Sequence, residues 1–172
     1  AYDAMLLKLD SSGTVIAQKT YGGTDTDGLG AVSQTSDGGY IAGGYTYSFG
    51  SGAGDAWVLK LNSDLSVDWQ KTYGSAAGME IIESIRETFD GGYIAAGTTD
   101  GFGRGNGDVW VMKLNSNGSI AWEKTYGGLN FDGFGDIQQT ADGGYIVGSL
   151  SNSFGAGDRD ILVLKIDANG NI

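Results

Sequence analysis

The feature that most constrains this chain is that it repeats. A block of the form Asp-x-x-x-x-Lys, followed by Leu or Ile, begins at Asp3, Asp55, Asp108 and Asp160, at steps of 52, 53 and 52 residues. Lys-Thr-Tyr-Gly at Lys19, Lys71 and Lys124, and Asp-Gly-Gly-Tyr at Asp37, Asp90 and Asp142, keep the same beat. Three anchors on one period mark a single supersecondary unit stacked on itself about three and a quarter times. Most positions are thereby committed to sameness, whereas catalysis needs a unique constellation of groups. The expectation is one repeat domain over residues 1–172, and not an enzyme.

The middle unit shows what is repeated. Met79 to Thr88 leads into the tight turn Asp90-Gly91-Gly92, then Tyr93 to Thr99; Asp-Gly between two such runs is a hairpin signal. A loose loop over 100–107 follows. Asp108 to Leu114 then alternates Trp110, Met112 and Leu114 against Val109, Val111 and Lys113. Asn115 to Gly118 turns the chain, and Ile120, Trp122, Lys124 and Tyr126 alternate along a fourth run. Each unit therefore reads as four short strands in an antiparallel meander. One segment also fits a helix, since Ile81, Ile85 and Phe89 stand four apart. Its counterparts, Ala31 to Thr35 and Asp136 to Thr140, are too short and too rich in Thr and Gln to agree, so it is taken as a strand.

Four-stranded antiparallel units at a period near 50 are the mark of β-propeller blades. The order Asp-Gly turn, Tyr-Ile-x-x-Gly strand, Leu-Lys-Leu-Asn strand, Asn-Gly turn and Ile-x-Trp strand resembles the blades of pyrroloquinoline-quinone-type propellers and related bacterial and archaeal surface propellers. Trp69 and Trp122 resemble the tryptophan-docking residues of that group, with Ala17 at the same place in the first unit. The resemblance implies blade type only. No quinone-site residues match and there is no adjacent cysteine pair, so no cofactor is implied.

The fold expected is all-β, built of propeller blades at period 52–53. Residues 1–23 are the last two strands of a blade, 24–75 and 76–128 are full blades, and 129–172 are three strands of another. The inner strands would be Leu29 to Thr35, Met79 to Thr88 and Phe134 to Thr140. The Gly- and Ala-rich second strands would let sheets approach closely near the axis, with the Trp-bearing strands outermost. A β-trefoil, also three four-stranded units, is the alternative, but its closed threefold body would leave one strand redundant. The interrupted first and last blades favour part of a larger ring, or self-association that completes the ring, because open sheet edges invite pairing.

Composition narrows function. With 32 glycines, no proline and a regular period, the glycines belong to turns and close packing rather than to disorder. There is no cysteine and no histidine, which removes disulfides, thiolates, the commonest zinc ligand and the usual general base. A net charge of −11 with ten dispersed Lys and Arg repels nucleic acid and anionic lipid. No apolar run is long enough to cross a bilayer as a helix. No basic and apolar leader follows Ala1, so either one was removed or this is an internal piece.

Both long loops of each unit, 22–28 and 48–54 with their equivalents, should emerge on one face, where binding usually resides. Asp25 and Asp27, in Thr-Asp-Thr-Asp-Gly, resemble the start of a calcium loop, with Asp132 as the only echo; an Asx-turn is the competing reading. Phe49, Phe102 and Phe154 recur as Phe-Gly, either plugging the loop or forming an aromatic platform for a sugar or a protein. The recurring Asp3, Asp55, Asp108 and Asp160 suit acceptance of backbone N–H groups from the preceding loop. Lys19, Lys71 and Lys124, with Tyr21, Tyr73 and Tyr126, suit outer-strand packing with snorkelled heads. Glu80, Glu83, Glu87, Arg86 and Arg104 are the residues that do not repeat. Carboxylates among them could in principle form a glycosidase pair, though nothing in the sequence fixes one. Asn117-Gly118-Ser119 is a glycosylation sequon.

The function expected is a non-catalytic scaffold, secreted or on the cell surface, that binds a protein or carbohydrate through the long-loop face. Phe49, Phe102, Phe154 and Arg104 are the candidate contacts. Calcium is the one metal suggested. The alternatives are a structural subunit of an extracellular assembly, and a blade set from a carbohydrate-active enzyme or lectin.

Overall fold

The computed structural model describes residues 1–172. Thirteen strands follow in order: β1 (Ala4–Leu9), β2 (Val15–Tyr21), β3 (Asp27–Gln34), β4 (Tyr40–Thr46), β5 (Asp55–Leu61), β6 (Val67–Tyr73), β7 (Glu80–Glu87), β8 (Tyr93–Thr99), β9 (Asp108–Leu114), β10 (Ile120–Tyr126), β11 (Asp132–Gln139), β12 (Tyr145–Ser151) and β13 (Asp160–Ile166). They form a two-stranded sheet β1–β2, two four-stranded meanders β3–β6 and β7–β10, and a three-stranded sheet β11–β13. Every pairing between neighbouring strands is antiparallel. The sheets stay separate and close no barrel, so the trefoil is not the fold; the arrangement is that of propeller blades.

The segment with helical spacing is strand β7, paired with β8 from Glu80↔Thr99 to Glu87↔Tyr93. A bulge between Ile82 and Ser84 explains its appearance. One extra residue, Glu83, rephases the alternation, so Ile82 and Ile85, three apart, are both buried. β3 and β11 carry the same interruption, between Leu29 and Ala31 and between Gly133 and Asp136.

The repeated anchors have repeated physical roles. In each Asp-Gly-Gly-Tyr turn the aspartate accepts from a threonine hydroxyl two residues before it and from the glycine N–H two residues after it. The lysine of the Asp-x-x-x-x-Lys block closes this turn within its own sheet. Lys60 reaches Asp37 at 2.8 Å, Lys113 reaches Asp90 at 3.0 Å and Lys165 reaches Asp142 at 2.8 Å. The tyrosine of Lys-Thr-Tyr-Gly ties each sheet to the next. Tyr21, Tyr73 and Tyr126 donate to the carbonyls of Leu65, Gly118 and Gly170 respectively, each at 2.6 Å.

Apolar contact between sheets follows one plan. Trp57, Leu59 and Leu61 face back onto Ala4 and Tyr21. Ile41, Ala56 and Val58 face forward onto Ile82, Ile85 and Tyr93. Ile94, Val109 and Val111 face forward onto Ile137, Tyr145 and Ile166. The outer tryptophans Trp69 and Trp122 dock edge-on against Tyr93 and Tyr145 of the following sheet, with ring centroids 5.9 and 6.0 Å apart. Small second-strand residues allow the approach, since a Cβ on Gly43 would lie 2.5 Å from Ile82 Cγ2. β7 lies against β3 and β4, and β11 against β7 and β8, so the first strands of successive sheets line the inner side.

Candidate functional site

The loops that begin each first strand and those that join second to third strands emerge together, as their alternating strand directions require. Most recurrent groups on this face hold the loops themselves. Asp55 Oδ2 accepts from the N–H groups of Ser51 and Gly52 at 3.1 Å, and Asp108 Oδ2 from those of Arg104 and Gly105 at 2.8 and 3.3 Å. Asp160 takes the Gly157 N–H in the same way. Phe49 lies on Trp57 and Phe102 on Trp110, centroids 5.8 and 5.6 Å apart; these rings cap the tryptophan of their own sheet. Phe154 is the more exposed member, because Leu162 stands where the other sheets have tryptophan. The Arg104 side chain is exposed and forms no ion pair.

Two of the three aspartates that suggested calcium, Asp27 and Asp132, accept several protein donors. Asp27 accepts from Gly23 N and Ser48 Oγ at 2.7 Å, and from Thr46 Oγ1. Burial opposes its ionisation, but these bonds together hold its carboxyl below the usual range. Asp132 repeats the arrangement with Gly128, Ser151 and Ser153. Asp25 accepts from the Thr26 N–H in an exposed loop. No group of three or more His, Cys, Asp or Glu side chains converges here or elsewhere. Sequence reading missed the middle member of this set. Glu80 takes the same place, accepting from Ser75 N and Thr99 Oγ1 at 3.1 Å. Burial, with help from Asp55 and Asp100, pushes its carboxyl up. The longer side chain hid an equivalence that the 52–53 period would have revealed.

Two other non-repeated residues join neighbouring inner strands. Glu87 accepts from Ser36 N and Oγ at 2.6 and 2.8 Å. Arg86 donates to Ile137 O at 2.9 Å and pairs with Asp136 at 3.3 Å. These are rivets between sheets.

Glu83 is different. It is the bulge residue of β7, where β3 and β11 have Gly30 and Gly135. Its Oε2 accepts from Gly135 N at 3.0 Å, and both carboxylate oxygens lie 3.2 Å from Thr98 Oγ1. Thr98 Oγ1 in turn accepts from Phe134 N at 3.0 Å. Burial pushes the Glu83 carboxyl up, against these two bonds. Phe134 has φ of 62°, a left-handed conformation that costs a residue with a side chain. The turn swings its ring outward, so that it is 57% exposed while its counterpart Ile82 is buried. The ring leans on Phe131 with centroids 5.2 Å apart. Between this aromatic pair and Glu83 opens a cavity of about 170 Å³, bounded also by Met79, Asp100 and Asn106. It lies on the long-loop face between β7–β10 and β11–β13. Larger depressions lie beside β1 and beyond β13, and an open hollow lies at Phe49, Trp57 and Lys71.

The cavity unites an aromatic shelf, a half-buried carboxylate and two exposed polar side chains, none of them repeated. The expected contacts Phe49, Phe102, Phe154 and Arg104 do not line it; Glu83, noted in the sequence only as a residue that does not repeat, does. Phe134 was not singled out, because its outward turn depends on a backbone angle that no motif announces. No protein-family model matches this chain, and no curated protein resembles it in sequence.

Proposed function

We propose that the chain is a non-catalytic, propeller-type scaffold, secreted or displayed at a cell surface, that binds a glycan through the long-loop face at the cavity between Glu83 and Phe134. The observation that carries this reading is Phe134 itself. An aromatic ring held outward in a costly backbone conformation, by Thr98 and beside a half-buried carboxylate, suits stacking against the apolar face of a sugar ring. Glu83, Asp100 and Asn106 supply acceptors and a donor for its hydroxyls. The acidic charge and the absence of cysteine and histidine agree with an extracellular binding module, and the blade pattern supports a relation to surface propellers.

A glycan array followed by calorimetry tests it. Phe134→Ala is expected to lower affinity about tenfold, equivalent to about 1.4 kcal/mol, and Glu83→Gln to lower it further than Asp142→Asn, a control far from the loops. Absence of any glycan ligand, or binding indifferent to Phe134, overturns the reading and leaves a protein ligand on the same face.

A further inference from the structure

The cavity beside Glu83 marks where a ligand sits, and the charge around it decides the ligand's kind. Two carboxylates border it, Glu83 and Asp100, and no lysine or arginine does. Neither carboxylate takes part in an ion pair. Glu83 accepts only from neutral donors, the Gly135 N–H and the Thr98 hydroxyl. Asp100 accepts from the Met79 N–H and is otherwise exposed. Burial raises the Glu83 carboxyl, with no cation to oppose it.

The chain's own cations are engaged elsewhere. Lys60, Lys113 and Lys165 clamp the Asp-Gly-Gly turns, at the opposite end of the strands from the long loops. Lys8 and Lys124 bond Ser63 O and Asn171 Oδ1, in the turns that follow third strands at that same end. Arg86 pairs with Asp136. Arg104 stands in the same loop as Asn106, yet its side chain forms no ion pair and does not line the cavity.

The remaining wall is apolar. Phe131 and Phe134, with centroids 5.2 Å apart, are joined there by Met79 and Ile81. An ammonium group is attracted to the face of a phenyl ring. It also forms a charge-assisted hydrogen bond with a carboxylate, about twice as strong as a neutral one. A sugar without a charge offers neither, and leaves the half-buried Glu83 without a counter-charge.

We propose that the cavity takes an amino sugar with a free amine, a deacetylated hexosamine within a glycan, its ammonium facing Glu83 and Asp100 and its ring on Phe134. This inference rests on the glycan reading of the cavity and narrows it to a cationic glycan. The net charge of −11 draws such a chain to the molecule, and the cavity fixes where it docks.

Calorimetry with a glucosamine tetramer, its N-acetylated counterpart and a glucose tetramer tests it. The glucosamine tetramer is expected to bind about tenfold more tightly than the other two, and to weaken as salt is raised. Glu83→Gln should remove most of that preference. Asp100→Asn should do so too; it alters an exposed residue and keeps an acceptor for the Met79 N–H, so it serves even if the Glu83 variant fails to fold. Asp142→Asn removes the same charge at the opposite end of the strands and should leave the preference intact. An equal loss in all three variants would mean attraction to net charge alone and overturns the proposal. Equal or tighter binding of the N-acetylated or glucose tetramer, still dependent on Phe134, overturns the free amine and leaves the glycan reading standing. Binding of tetralysine without any oligosaccharide, or no binding at all, overturns both.

Discussion

The glycine that ends each Lys-Thr-Tyr-Gly block has no room for a methyl group. A Cβ on Gly127 would strike Asp108 Oδ1 and lie 3.0 Å from Asp132 Oδ2; on Gly74 it would strike Glu80 Oε2 and lie 2.8 Å from Asp55 Oδ1. The glycine lets two carboxylates, one from a third strand and one from the next first strand, approach the same turn of backbone. Gly127→Ala is therefore expected to destabilise by about 1–3 kcal/mol, the usual cost of overpacking, as read from chemical denaturation. A neutral outcome would mean the turn shifts freely and the carboxylates are not fixed. The same scale explains what a motif scan sees and what it misses. Lys-Thr-Tyr-Gly, with its glycine, repeats and is legible. Glu83 and Phe134 do not repeat, and their pairing runs through a bulge in β7, an unusual φ at Phe134 and the Thr98 hydroxyl, none of which is a letter in the sequence.

Between elements, the tyrosine ties set how one sheet seats on the next. Burial pushes the Tyr126 phenol up to about 12, so it remains a donor at any ordinary pH. The Tyr73 phenol is pushed up for the same reason and bonds the Gly118 carbonyl in the turn of the following sheet. Tyr73→Phe keeps the packed ring and removes only the hydroxyl, and should cost about 0.5–1.5 kcal/mol in denaturant unfolding. Trp69→Ala removes the docked indole from Tyr93 and should cost more, about 3–5 kcal/mol if its place stays unfilled. An equal loss for both would show that the hydroxyl rather than the indole seats the sheet. The strand pattern of these elements was readable from alternation and turn residues. The helical look of β7 was resolved by its bulge, a tertiary accommodation to the neighbouring inner strand that moves Ile82 and Ile85 onto one face.

At the scale of the whole molecule, pH acts through two opposed sets of carboxyls. The turn aspartates Asp37 and Asp142 are held well below the usual range, first by their lysine partners, Lys60 and Lys165. Asp90 is lowered from 3.8 to about 2 by Thr88 first, with Lys113. A carboxyl lowered on folding contributes stability above its unfolded value and loses it as pH falls through the folded one. Thermal stability should therefore drop between about pH 4 and about pH 2, the lowered value of Asp90, and less steeply in Asp90→Asn. Glu80 and Glu83 are raised by burial, so their contribution has the opposite sign, present in acid and lost as pH rises through their raised values. A melting temperature flat across the acid range would show that the lysine–aspartate turns do not hold the blades.

The period, the four-strand unit and the places of the turns were legible in the residues alone. Each of these follows from local rules, in which alternation, Asp-Gly turns and a repeated glycine mean the same thing wherever they recur. Which residues gather at the candidate site followed from how whole sheets stack. Phe49 and Phe102 became covers for their own tryptophans, Asp27 and Asp132 became loop anchors, and Glu83 met Phe134 across a sheet boundary. Those outcomes depend on which side chain of one repeat faces which of the next. That pairing is set by the stacking of whole sheets, about 50 residues apart in the chain, and no local rule reaches so far.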